Sequence, residues 1–154
     1  MCSRKCIILA ALFSVSGLGA ATLALAMPGA AACALVNVAN LESLPDGSLV
    51  DSSTPEQERA RLHELIMEAR GRIEAMYGAP RANPTTVFFQ DSRTFWLLPV
   101  NEYGSTNFVG RRACVIVGPK GRNPDVVAHE LMHAELADRV GALAPVHRDS
   151  CLVR

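Results

Sequence analysis

Residues 123–141 read NPDVVAHELMHAELADRVG, a stretch that predicts one helix with both of its ends marked. Asn123 supplies a capping oxygen, and Pro124 suits the first helical position because the N–H it lacks would have no partner there. Gly141 stops the helix after Arg139 or Val140. His129 and His133 are four residues apart, which on a helix is about 40° around the axis and about 6 Å along it. Both rings therefore stand on one side, and Val126 and Val127 supply apolar positions just ahead of them.

Working outward, Pro119 to Asn123 read as a turn, and Ala113 to Gly118 as a buried strand. Thr85 to Gln90 and Thr94 to Leu98 carry the β-branched and aromatic residues of two more strands, set off by Asp91-Ser92 and by a turn-rich stretch from Asn101 to Gly110. Phe88, Phe89 and Trp96 are expected in the core of such a sheet. An earlier helix is expected to begin at Thr54-Pro55-Glu56-Gln57, with Thr54 as N-cap, Pro55 at the first helical position and Gln57 closing a capping box. Its apolar face is Leu62, Leu65, Ile66, Ala69, Ile73, Met76 and Tyr77, and Gly78 ends it. His63 and Glu64 on this helix read as solvated residues. Residues 34–53, with the turn signal Pro45-Asp46-Gly47, read as a linker or a short irregular strand.

The chain has 154 residues, room for one domain. Fifteen basic and fifteen acidic residues cancel, so no broad basic face exists for a phosphate backbone, and nucleic acid is excluded as an expected partner. Arg4 and Lys5 precede Ile7 to Met27, an uncharged run of about the length that crosses a bilayer, which predicts export by a signal peptide or a membrane anchor. Ala24-Leu25-Ala26 and Ala30-Ala31-Ala32 both have the small-x-small form of a signal peptidase site. Cys33 follows the second and suggests a lipoprotein, although Ala30 stands where a bacterial lipobox usually has Leu. The positive-inside bias sends the remainder out of the cytoplasm, periplasmic, extracellular or anchored in the inner membrane. Cys33, Cys114 and Cys151 then reach an oxidising compartment, where Cys114 with Cys151 is one possible pair and burial of Cys114 as a small hydrophobe the other reading.

The expected architecture is thus α+β: an N-terminal apolar helix, then a small sheet of about three strands packed with two main helices, the second carrying the two His. The expected division is 1–32 as signal peptide or anchor, 33–53 as linker and 54–154 as the domain.

His129-Glu130-Leu131-Met132-His133 is an H-E-x-x-H sequence. Two neutral imidazoles one turn apart can bind zinc, and Glu130 beside the first of them can act as general base toward water that attacks a carbonyl. Around it the chain resembles the H-E-x-x-H metallopeptidases of the gluzincin or peptidase MA-like kind, especially small exported bacterial ones. The resemblance runs from Arg72 to Gly141, through Arg72-Ile73-Glu74-Ala75-Met76-Tyr77-Gly78, Thr86-Val87-Phe88-Phe89 and Asp125 to Leu136. It implies that His129 and His133 bind Zn2+, that Glu130 is the base, and that a Glu on a following helix completes the site.

That Glu is expected at least about 19 residues after the second His, where only Leu152, Val153 and Arg154 stand, so the part bearing the third ligand is absent from its expected place. The metzincin pattern fails too, with Leu136 and Arg139 at its Gly and His positions. His147 is the expected third ligand, with Asp149 as substitute, since six residues after Gly141 reach about 20 Å and the way back to His133 is about 12 Å. Glu135 and Asp138 point elsewhere on the helix and read as solvated or supporting groups. The functional expectation is a zinc-dependent peptidase cutting peptide or protein substrates outside the cytoplasm. The alternative is a truncated or inactive relative that keeps the fold without catalysis.

Overall fold

A computed structural model of the chain describes residues 27–90 and 101–140. These form an α+β fold with three helices and one mixed sheet of five strands. In chain order they are α1 (Pro28–Leu35), a single 3-10 turn (Val36–Val38), β1 (Leu41–Ser43), β2 (Leu49–Asp51) and α2 (Glu56–Tyr77). There follow β3 (Thr85–Phe88), β4 (Gly104–Val109), β5 (Arg112–Val117), a 3-10 turn (Pro119–Gly121) and α3 (Pro124–Val140).

The strand order is β1-β2-β3-β5-β4. β3 lies parallel to both β2 and β5, whereas β1 and β4 run antiparallel to their neighbours at the two edges. The central strands are apolar without alternation because both faces of the sheet are covered. Phe88, Val115 and Val117 meet Leu62, Ile66, Val127 and Leu131 of α2 and α3 on one face. Val87, Phe89, Cys114 and Ile116 meet Ala32 and Val36 on the other. Each such large side chain taken fully out of water stabilises the fold by roughly 1.5–3 kcal/mol.

Three expectations about the sheet are corrected. β4 occupies the segment read as a turn between Asn101 and Gly110. Its Gly104-Ser105-Thr106-Asn107 lacks the apolar alternation that reveals a strand, because an edge strand needs apolar residues only where it is covered. β1 and β2 lie within the presumed linker; at three residues each they are too short to show a period, although the turn between them falls at Pro45-Asp46-Gly47 as expected, with Gly47 at φ 85°. Five strands therefore stand where about three were expected, and the anticipated strand Thr94 to Leu98, with Trp96, lies outside the described residues.

α2 buries Leu62, Leu65, Ile66, Ala69 and Ile73, as its periodicity requires, while Met76 stays exposed at the last turn. Its start differs from the expected capping box. Pro55 occupies the cap position without any side-chain cap, and the buried Thr54 hydroxyl instead accepts a hydrogen bond from Gln90 Nε2 at 3.0 Å. His63 Nδ1 lies 3.2 Å from Asp46 Oδ1, which ties α2 to the β1–β2 turn. At α3 the capping expectation holds: Asn123 Oδ1 accepts from the Val126 N–H at 3.0 Å, and the helix runs from Pro124 to Val140.

α1 was not anticipated as part of the domain. It packs across β4 and β5, and Cys33 on it is joined to Cys114 on β5 by a disulfide of 2.07 Å. The pair is 81 residues apart, and closing a loop of that size removes chain entropy worth about 4.5 kcal/mol from the unfolded state. This replaces the suggested Cys114–Cys151 pair. It also commits the Cys33 sulfur that the lipoprotein reading required. Residues 1–26, with most of the apolar run, and Cys151 lie outside the described residues. Among the described residues no helix is long and apolar enough to cross a membrane.

Candidate metal centre

α3 lies over β4 and β5, so Glu130 of the H-E-x-x-H sequence meets the edge strand β4. His129 Nε2 and His133 Nε2 are 3.0 Å apart, with their rings at 89° and centroids 4.6 Å apart. Two imidazole nitrogens that share a tetrahedral zinc at about 2.0–2.1 Å stand about 3.3 Å apart, so the pair is close to the spacing that one ion requires. Burial lowers the His133 pKa, the charge of His129 lowers it further, and Glu130 acts against both; the net shift is downward. The neutral ring that a metal needs is therefore the favoured form at neutral pH.

Glu130 is 9% exposed and turns toward β4. Thr106 Oγ1 lies 2.7 Å from Glu130 Oε2 and 2.7 Å from the Glu130 carbonyl oxygen, so its one proton is shared between the two acceptors. Gly104, two residues earlier on the same strand, allows this approach. A Cβ there would stand 2.9 Å from Glu130 Cγ and 3.3 Å from Val126 Cγ1. Neither Gly104 nor Thr106 was legible in the sequence, because both fall in the segment read as a turn.

His147 and Asp149, the expected third ligand and its substitute, lie outside the described residues. Among the described residues no group of three or more His, Cys, Asp or Glu side chains converges on a point where a metal could sit. Among the described residues the donor set is thus two imidazoles, whose type and spacing fit zinc.

Glu135 is not solvated. It is 2% exposed, and its carboxylate accepts the N–H groups of Arg81 (3.0 and 3.1 Å) and Ala82 (2.9 Å) and the Arg139 guanidinium. These bonds fasten the connection between α2 and β3 to α3, which sets the motif helix against the sheet. Beside them lies a cavity of about 300 Å³, lined by Arg70, Ile73, Pro80, Arg81, Leu131 and Glu135, on a different face of α3 from the two His. Asp138 is exposed, as expected.

Burial pushes the Glu135 carboxyl up, but the N–H groups of Ala82 and Arg81 and the Arg139 guanidinium outweigh it and hold the carboxyl below its usual range. A depressed folded-state pKa contributes stability that is complete above the unfolded value of about 4.3 and is lost as pH falls through the folded value. Glu135→Gln is expected to destabilise the protein by about 2–4 kcal/mol at pH 7, because one amide oxygen cannot serve three donors and its NH2 faces them. Urea denaturation between pH 7 and pH 3 checks this: the parent should lose its advantage over the variant as the medium becomes acidic. An advantage unchanged at pH 3 would contradict the role given to the carboxylate.

The chain matches no protein-family model, no curated protein and no solved structure.

Proposed function

We propose that the protein is a zinc-dependent peptidase that works outside the cytoplasm, with His129 and His133 as zinc ligands and Glu130 as general base. The observation that carries this reading is the 3.0 Å approach of the two Nε2 atoms beside a buried Glu130 held by Thr106. His147 remains the proposed third ligand, with Asp149 as substitute. Bound zinc would supply Lewis acidity, polarising the scissile carbonyl and making water easier to deprotonate. Glu130 takes the proton of the attacking water on its carboxylate and passes it to the leaving amine. Thr106 fixes the orientation of that carboxylate, and the packing of α3 on β4 shields it from bulk water. An extracytoplasmic location is supported by the basic, apolar N-terminus and by the Cys33–Cys114 disulfide, a bond that persists in oxidising compartments.

The second reading, a zincin-like domain without catalysis, is favoured by one observation: only two ligand side chains lie together among the described residues. Hydrolysis of an unfolded polypeptide separates the two. Activity that disappears on chelation and returns with added zinc is the expected result. No hydrolysis by the zinc-supplemented protein favours the second reading, and activity unaffected by chelation contradicts both.

A further inference from the structure

We infer that the mature protein begins at Met27, released by signal peptidase cleavage of the Ala26–Met27 bond, and that Cys33 carries no lipid. The inference rests on the export reading and decides among the routes of maturation that the sequence leaves open. Cleavage adds one water across the bond, leaving a carboxylate on Ala26 and the α-amino group on Met27.

The residues that separate the two small-x-small sites are structural. Pro28 opens α1, and Gly29 packs so closely on β4 that a Cβ there would collide with the Asn107 side chain. Ala32 is fully buried among Val87, Cys114 and Ile116 on the face of the sheet opposite α2 and α3. Cleavage after Ala32 would remove five of the eight residues of α1 and uncover that face. It would also leave a disulfide holding the terminal residue of the chain.

The lipoprotein route fails on two counts. It requires the same cut before Cys33, and it builds a thioether on a sulfur that already bonds to Cys114. Cleavage after Ala26 preserves every one of these contacts.

On the described side of the bond, the backbone at Met27 suits the cut. Met27 is 51% exposed with φ −136° and ψ 66°, outside the helical range, and helical geometry starts only at Pro28.

The test is the intact mass and N-terminal sequence of the full chain expressed in an exporting bacterium and recovered from outside the cytoplasm. The expected product starts at Met27, yields a Cys33–Cys114 linked peptide in a non-reducing digest, and is replaced by the uncleaved chain in Ala26→Arg. An exported chain that starts at Cys33, bears a diacylglyceryl group or retains its leader overturns the inference while export stands. An unprocessed chain confined to the cytoplasm overturns the export reading itself.

Discussion

Glu130→Gln is expected to lower peptide hydrolysis by about 10²–10⁴-fold and to leave bound zinc unchanged, the loss that follows when a general base is removed without disturbing its surroundings. Gln matches Glu in volume, so it fits the narrow space over Gly104, and its amide oxygen can still accept from Thr106. What it cannot do is take up a proton. The loss should fall on kcat rather than KM, since Glu130 is assigned no role in holding the substrate. Steady-state rates and metal content measured on one preparation check this, and a Gln variant with parental kcat would remove Glu130 from the role of base.

His129→Ala acts one step earlier. It leaves His133 as the one imidazole on the motif side of α3, and zinc affinity should fall by more than about 10²-fold, beyond the loss caused by removing a merely supporting contact. Hydrolysis should vanish with it. Because His129 is partly exposed and sits within a helix where Ala is well tolerated, the cost to folding should stay below about 1 kcal/mol. Zinc titration and circular dichroism together distinguish this from unfolding. A folded His129→Ala protein that binds zinc as tightly as the parent would show that His129 is no ligand.

The parts of the fold that were legible in the sequence carry their signals locally. Asn123, Pro124 and the period of α3 mark a helix by the chemistry of its own termini, and Leu62 to Ile73 mark α2 by spacing alone. β5 was readable because both of its faces are buried, which leaves an unbroken apolar run. β4 was not, since an edge strand of Ser, Thr and Asn becomes a strand through its partner β5 rather than through its own side chains. The capping box failed for a related reason: Thr54 has a tertiary partner in Gln90, and no local rule can foresee a contact 36 residues away.

The same division runs through the site. The pairing of His129 with His133 follows from helix geometry and was readable from their spacing. The hydroxyl of Thr106 reaches Glu130 across 24 residues and so depends on the strand that the sequence hid. Of the two readings of Glu135, solvated or supporting, its position on α3 could not decide, because it shows which way the side chain points but not that the loop after α2 closes over it with two N–H groups. Cys33 was taken as a boundary residue because the apolar run before it resembles a leader to its last Ala, whereas Ala32 is buried in the core and Cys33 packs against it, bonded to Cys114.

The most direct test of the proposed zinc centre is the metal content of the purified, exported protein, measured at neutral pH on material shown to be folded and to hold the Cys33–Cys114 bond. The account predicts about one zinc ion per chain, lost in His129→Ala and retained in Glu130→Gln. Folded, disulfide-bonded protein that binds no zinc when zinc is supplied would contradict it.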